Sequence, residues 1–278
     1  MKKRIILFGG NSMVAKSIIK ILENHKNYKV YLLKKGDELK NLPNKRYFLG
    51  IFLAQSEDYK NEFLTENLFY VNNILLRNTL EWSVGKVDYF LNFSSGSVYK
   101  KNKSGKFNSK SPLDWQSESP YVISKLMAEL TANSFKNHFK RLINVRPFFI
   151  YGFNQKNTFL IKKIINNLKN NQKIFLDSSH GLIFNPIFSD DCAKIILNEI
   201  FSDSLFDKWE DNINISGSET ISLKLIILHL IEKNKLSKDL INLKPLVKPK
   251  IFLNLDHSLS LSKESNWQIN IEKIYDEE

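Results

Sequence analysis

Ile5-Ile6-Leu7-Phe8-Gly9-Gly10-Asn11-Ser12-Met13-Val14-Ala15 is the stretch that decides the fold of this chain. The apolar, β-branched run from Lys3 to Phe8 stops at two glycines. Apolar residues then recur at helical spacing over 14–22, and Tyr28–Leu33 is apolar again. Strand, helix and strand in that order make a βαβ unit. Further strands are expected at 47–53, 88–93, 142–145 and 213–215, separated by helices near 66–81 and 121–138. Such alternation specifies an α/β fold, a parallel, doubly wound Rossmann sheet with helices on both faces. After Gly152 the pattern changes to helices at 159–170 and 222–233, with a Lys- and Pro-rich stretch over 244–250. Residues 1–150 are therefore read as a dinucleotide-binding domain. Residues 151–278 are read as mainly a small C-terminal α/β substrate lobe, with segments near 183–215 returning to the first domain.

Composition narrows the function classes. With 278 residues and 42% hydrophobic content the chain has enough apolar material for a packed core. The basic start is followed by an apolar run that ends at Gly9, too short for a signal-peptide core, and later runs such as 225–231 are far too short to span a membrane. A cytoplasmic protein without membrane association is expected. Cys192 is the single cysteine, which rules out an intrachain disulfide, and its setting reads as packing. The five histidines, His25, His138, His180, His229 and His257, lack ligand spacing, so no metal site is expected. Net charge is +12, yet only five of the 41 basic residues are arginine and the lysines are dispersed. A nucleic-acid binder would cluster its cations around aromatic platforms, so nucleic acid is not an expected partner. A diffuse positive field would still attract an anionic small molecule such as a nucleotide diphosphate.

Chemistry is carried by Ser95 and by Tyr121-Val122-Ile123-Ser124-Lys125. Tyr121 and Lys125 are four apart, so on a helix both emerge from one face and the ammonium can lie beside the phenol. A neighbouring cation and a hydroxyl partner favour the phenolate, allowing general acid or base work near neutrality. Ser95, 26 residues upstream, supplies the hydroxyl from the end of the preceding strand.

The joint order of these motifs, with Val98-Tyr99, Arg146-Pro147, Tyr151-Gly152 and Ser189-Asp190-Asp191, resembles the extended short-chain dehydrogenase/reductases. These are the nucleotide-sugar epimerases, dehydratases and reductases, and the resemblance covers nearly the whole chain. It implies that Gly9, Ser12, Met13 and Val14 cradle the dinucleotide, with Ser12 and Ala15 standing where glycines are usual. A Cβ at Ser12 would be costly if that residue had positive φ. It also implies that Leu53, Ala54, Gln55 and Asn72 pass beside the cofactor, that Pro147 and Phe148 flank the nicotinamide end, and that Tyr121 and Lys125 contact the ribose. At the end of the second strand, where a carboxylate would bond a ribose 2′-hydroxyl, stand Lys34 and Lys35, with Asp37 in the following loop. Two lysines suit a 2′-phosphate, which favours NADP over NAD. Residues 33–52 have little room beyond a turn and a strand, so the sheet is expected to be one strand short or rearranged at its edge. The residues from Leu261 to Trp267 resemble the family's terminal Ser-Lys and Gly-Trp elements, with Asn266 in place of glycine.

The resemblance implies hydride transfer at a sugar carbon, with Tyr121 exchanging the proton, Ser95 hydrogen-bonding the oxygen, and Lys125 holding the ribose and favouring the phenolate. Ser95, Ser97 and Phe149 are the positions expected against substrate. Ser95-Gly96-Ser97 replaces the Thr-Asp-Glu of the 4,6-dehydratases, so water elimination lacks its acid and base, and a ketoreductase or epimerase is favoured. Phe149 stands where asparagine is frequent, and Phe184-Asn185 where Arg-Asp is frequent. Either lysines such as Lys162, Lys163 or Lys173 take over the diphosphate, or the substrate is not a nucleotide sugar. Asp190 is expected to cap the following helix. Leu126, Met127 and Leu130 form an apolar stripe that is either core or the seam of a homodimer. The competing class is a non-catalytic dinucleotide-binding or scaffold protein that keeps the fold alone.

Overall fold

A computed structural model describes residues 2–153, 155–202, 204–244, 247–256 and 266–277. The expected Ser-Lys element at 261–263 and His257 lie outside the described residues. The chain forms two compact units: the first contains Met1–Lys101, Ser109–Pro147 and Ala193–Asn214, and the second contains Asn102–Asn108, Phe148–Cys192 and Ile215–Glu278. The stretch returning to the first unit is thus Ala193–Asn214, and residues 183–192 stay in the second.

The first unit is built on a six-stranded parallel sheet. Its spatial order is Asn212–Ile215, Arg141–Pro147, Val87–Phe93, Tyr47–Phe52, Lys3–Phe8 and Tyr28–Leu33. Lys3–Phe8 is hydrogen-bonded on both sides, Ile5 facing Val30 and Leu49 in register, and its residues Ile5–Phe8 are almost fully buried. A strand covered on both faces needs a continuous apolar run, which is what the sequence carries there. Tyr28–Leu33 is the edge, and residues 34–46 hold only a 3₁₀ turn at Leu39–Asn41, so the trimmed edge expected from the short spacing is present.

The first strand is followed in the chain by its neighbour on one side and then by Tyr47–Phe52 on the other, so the order reverses between these strands. Crevices outside the carboxyl ends of strands at such a reversal are where open α/β sheets bind ligands. At that crevice Gly9 has φ +95°, and a Cβ there would lie 2.5 Å from the Ala54 nitrogen and 2.7 Å from the Leu53 carbonyl carbon. Only glycine allows the two strand ends to approach so closely.

Helix Met13–Leu22 follows, buried through Val14, Ala15, Ile18 and Leu22. The helix expected near 66–81 runs as Glu66–Phe69 and Leu76–Ser83, joined by a π-helical segment, Tyr70–Leu75. Such π insertions cluster at functional sites. Helix Pro120–Ser134 opens on proline, whose missing N–H costs nothing in the first turn, and it closes into a 3₁₀ turn at Lys136–His138. The second unit is α/β as well. Its four-stranded sheet, in the order Ile221–Ser222, Leu182–Phe184, Lys250–Asn254 and Lys106–Phe107, accompanies helices Leu160–Lys169, Leu223–Lys233 and Trp267–Glu277. The isoleucines and leucines of these helices form its core.

Gly36 also has positive φ, +92°, but meets no atom within 4 Å of its hypothetical Cβ. Gly36→Ala is therefore expected to cost about 1 to 2 kcal/mol from backbone strain alone. Gly9→Ala, which adds the clash with Ala54, should cost upwards of about 3 kcal/mol in chemical unfolding. Equal losses for the two variants would contradict the close approach.

Candidate active site

Val87–Phe93 ends directly before Ser94 and Ser95. Ser95 is an N-cap residue: its Oγ accepts the Ser97 N–H at 3.1 Å and so fixes the short turn Gly96–Val98. The same side chain acts on the Tyr121 phenol, so the structure brings together two residues 26 apart in sequence. Burial raises the pKa of Tyr121, the Ser95 side chain pulls it down, and Tyr59 pushes it further up. The rings of Tyr59 and Tyr121 meet edge to face at 6.0 Å.

Lys125 lies one turn along the same helix and is 4% exposed, with Nζ donating to the Phe93 carbonyl at 3.1 Å. Burial pushes its ammonium down to about 8, with Glu129 opposing. The groups acting on the phenol are Ser95 and Tyr59, and the net effect of burial is to keep it protonated.

Asn72, in the π-helical segment, is buried and donates Nδ2 to Ser124 Oγ at 2.9 Å, next to Lys125. Its Oδ1 and the Ser94 Oγ are buried without a hydrogen-bond partner, and orphaned polar atoms of this kind are uncommon in native interiors.

At the other end of the crevice Ser12 is the N-cap of helix Met13–Leu22, with φ −68° and Oγ accepting the Ala15 N–H at 3.2 Å. Serine is thus unstrained where glycine was the expected residue, and Met13 and Val14 form the first turn, at the positive end of the helix dipole. Lys34 and Lys35 are exposed beyond the second strand, and the Asp37 carboxylate accepts the Lys34 N–H at 2.7 Å, closing the turn on itself. Leu53 is buried, Ala54 is half-buried against Gly9, and Gln55 is exposed. Ser97 is exposed and Pro147 is half-buried at the end of its strand.

Phe148 and Phe149 belong to the second unit. Phe148 is buried and stacked on Phe252 with centroids 4.8 Å apart. Phe149 has φ +51°, a strained conformation for a bulky residue, and its ring packs edge to face on buried Phe184 at 4.8 Å. The two aromatic departures from the family pattern are therefore one contact. Asn185 donates Nδ2 to the Asn254 carbonyl at 2.9 Å and its Oδ1 accepts the Asn254 N–H at 3.1 Å, a reciprocal clamp within that unit. Lys162 is half-buried, while Lys163 and Lys173 are exposed. Asp190 and Asp191 occupy the first turn of helix Ser189–Phe201, and Cys192 is buried, its thiol pushed up to about 12 chiefly by that burial. Of the apolar stripe, Leu126 is core, whereas Met127 and Leu130 are 37% and 55% exposed. No described helix is long and apolar enough to cross a membrane.

One feature of the first unit was not anticipated. Glu129 and Arg146, each 3% exposed, form a bidentate pair with Nε to Oε1 at 2.9 Å and Nη2 to Oε2 at 2.6 Å. Arg146 also donates to the Tyr99 hydroxyl at 3.1 Å, and Tyr99 donates to Asn214 Oδ1 at 2.6 Å. The i,i+4 spacing of Lys125 and Glu129 puts Glu129 on the helical face of the site, but no spacing names Arg146 as its partner.

No curated protein sequence matches the chain. UDP-glucuronic acid 4-epimerase from Bacillus cereus, solved with UDP-glucuronic acid and NAD, is similar at TM-score 0.79 and 18% identity, covering 98% of this chain and 98% of its own. dTDP-glucose 4,6-dehydratase from Bacillus anthracis, solved with NAD, is similar at 0.77 and 15%, over 99% and 96% of the two chains. dTDP-4-dehydrorhamnose reductase from Bacillus anthracis, solved with NADP, is similar at 0.73 and 17%, over 100% of both. At these identities the likeness establishes the fold. The model of the NAD dependent epimerase/dehydratase family matches residues 5–199, and the chain belongs to that family.

Proposed function

We propose that this protein is a nicotinamide-dinucleotide-dependent oxidoreductase that acts on a nucleotide-activated sugar as a ketoreductase or epimerase, with NADP the favoured cofactor. The observation that carries this reading is the convergence of Ser95 and Tyr121, with buried Lys125 one turn away, at the carboxyl end of a parallel strand. The first unit is read as the dinucleotide-binding part and the second as the substrate lobe. The chain's own features suit a dinucleotide: glycine is obligatory at the crevice, the helix beginning at Met13 offers its N-terminus to phosphate, and Asn72 and Ser94 carry unsatisfied buried oxygens. Gly9, Ser12, Met13, Val14, Leu53, Ala54, Gln55 and Asn72 would hold it, with Lys34 and Lys35 toward a 2′-phosphate. When bound, the nicotinamide supplies or accepts the hydride.

Ser95 holds the substrate oxygen, and Tyr121 exchanges the proton with it. A phenol kept protonated by burial is ready to donate, which suits carbonyl reduction. Lys125 supplies a positive charge that stabilises the phenolate once the proton has left. Neither Gly96 nor Ser97 provides the acid–base pair that elimination needs, which supports a reductase or epimerase over a dehydratase. The nucleotide-sugar assignment is supported by the substrates named for similar structures, among them UDP-glucuronic acid. With Phe149 and Phe184 packed on each other, contacts to the diphosphate would fall to lysines such as Lys162, Lys163 or Lys173.

Tyr121→Phe should lower turnover of NADPH with nucleotide 4-ketosugars at least about a hundredfold while leaving dinucleotide affinity within about twofold. Unchanged turnover would remove Tyr121 from the chemistry, and a wild type without turnover would leave the scaffold reading. The exposed Met127 and Leu130, with Tyr70 and Ile74 exposed on the neighbouring helical segment, suit pairing with a second copy. Light scattering should then give about twice the 32.5 kDa chain mass, and a monomer at micromolar concentration would refute the pairing.

A further inference from the structure

Tyr121 stands in the first turn of helix Pro120–Ser134, where backbone N–H groups have no partners within the helix, and the N-cap Ser119 gives them no side-chain hydrogen bond. A long side chain at such a helix start is held by what packs against it. The ring of Tyr59 meets that of Tyr121 edge to face, with centroids 6.0 Å and planes 68° apart, a preferred geometry for aromatic pairs. Tyr59 belongs to the irregular segment between strand Tyr47–Phe52 and helix Glu66–Phe69, and it is half-buried there while Glu57, Lys60, Phe63 and Leu64 are exposed. Side chains tie the ends of this segment together. Buried Ser56 accepts the Asp58 N–H at 3.1 Å and Asn67 Nδ2 at 2.8 Å through its Oγ. Asp58 Oδ2 accepts from Thr65 Oγ1 at 2.8 Å and from Asn67 Nδ2 at 3.2 Å, and Thr65 Oγ1 accepts the Leu68 N–H at 3.1 Å. Within the loop so closed, the Asn61 N–H donates to the Asp58 carbonyl at 2.9 Å, a turn that carries Tyr59, and the Lys60 ammonium lies over the Tyr59 ring at 5.4 Å.

We propose that Tyr59, presented by the loop that Ser56, Asp58, Thr65 and Asn67 close, is a positioning residue for Tyr121: its ring holds the Tyr121 side chain in the rotamer that converges on Ser95. This rests on the role given to Tyr121 above. Rotation about the first side-chain torsion of Tyr121 would swing the phenol away from Ser95, and a proton donor must stay within hydrogen-bond reach of the reacting oxygen to act. A misplacement of about 1 Å is enough to cost up to a hundredfold in rate. An edge-to-face partner resists that rotation through its ring, and its own hydroxyl is not needed for the task. The signature of such a role is a loss in kcat that phenylalanine restores, with substrate affinity retained.

The test uses the full chain as wild type, Tyr59→Ala, Tyr59→Phe, Asp58→Ala and the double variant Asp58→Ala/Tyr59→Ala. NADPH-dependent turnover of nucleotide 4-ketosugars is resolved into kcat and KM. Beside it, the Tyr121 ring resonances are followed in tyrosine-labelled protein, with Tyr121→Phe providing the assignment. Tyr59→Ala should lower kcat about tenfold with KM within about twofold, and should move the Tyr121 resonances. Tyr59→Phe should restore kcat to within about twofold of wild type and return the resonances. Asp58→Ala should lower kcat on its own and add nothing to the loss in Tyr59→Ala, because the loop acts through that ring. An unchanged kcat, a loss confined to KM, a phenylalanine variant as weak as alanine, additive losses in the double variant, or unmoved Tyr121 resonances overturns the proposal. If Tyr59→Ala does not fold, Tyr59→Leu, which fills the space without an aromatic edge, takes its place. If the resonances move as described but no form, wild type included, turns over substrate, the packing role stands and the enzymatic reading fails.

Discussion

The buried pair of Arg146 and Glu129 is the interaction on which the geometry of the first unit depends. Two charges taken from water cost several kcal/mol each, and only a well-formed, fully hydrogen-bonded pair offsets that cost. Here both carboxylate oxygens are used and the guanidinium also reaches Tyr99, over whose ring it lies at 5.1 Å. Because these groups come from helix Pro120–Ser134, strand Arg141–Pro147 and the segment after Ser95, the pair fixes three pieces of chain at once. Asn214, accepting from Tyr99, adds the last strand of the sheet. Loss of either charge would leave its partner stranded, so the constraint is all-or-none, as suits a site whose parts must keep register.

A second constraint acts at the opposite edge of the same crevice. The approach of Gly9 to Ala54 brings together the ends of the two strands between which the sheet order reverses. The helix capped by Ser12 begins there, so a helix N-terminus and the cluster of Ser95, Tyr121 and Lys125 are presented along one edge of one sheet. The chemistry assigned to Ser95 and Tyr121 needs both.

Much of this was legible in the sequence, for reasons that differ by element. The first strand is apolar from Ile5 to Phe8, where it is covered on both faces, and the glycines that end it mark the turn. The i,i+4 relation of Tyr121 and Lys125 follows from helical periodicity alone, and the trimmed edge after Leu33 follows from chain length. What could not be read depends on contacts distant in sequence. Glu129 and Arg146 are 17 residues apart on different kinds of element, and no periodicity joins them. The π-helical turn at Tyr70–Leu75 has the same apolar spacing as an ordinary helix. The burial that raises the Tyr121 phenol and the hydrogen bond of the Lys125 ammonium to Phe93 are likewise invisible to the spacing, which shows only that the two residues share a helical face. Likewise Phe149 and Phe184 looked like two separate losses of polar residues, and the fold makes them one packed pair.

The central claim is that the edge running from Gly9 to Lys125 is a dinucleotide site. An equilibrium fluorescence titration of the purified protein with NADPH and with NADH tests it most directly. The account predicts saturable binding, with NADPH the tighter ligand because Lys34 and Lys35 meet its extra phosphate. Absence of saturable binding for both dinucleotides would contradict it.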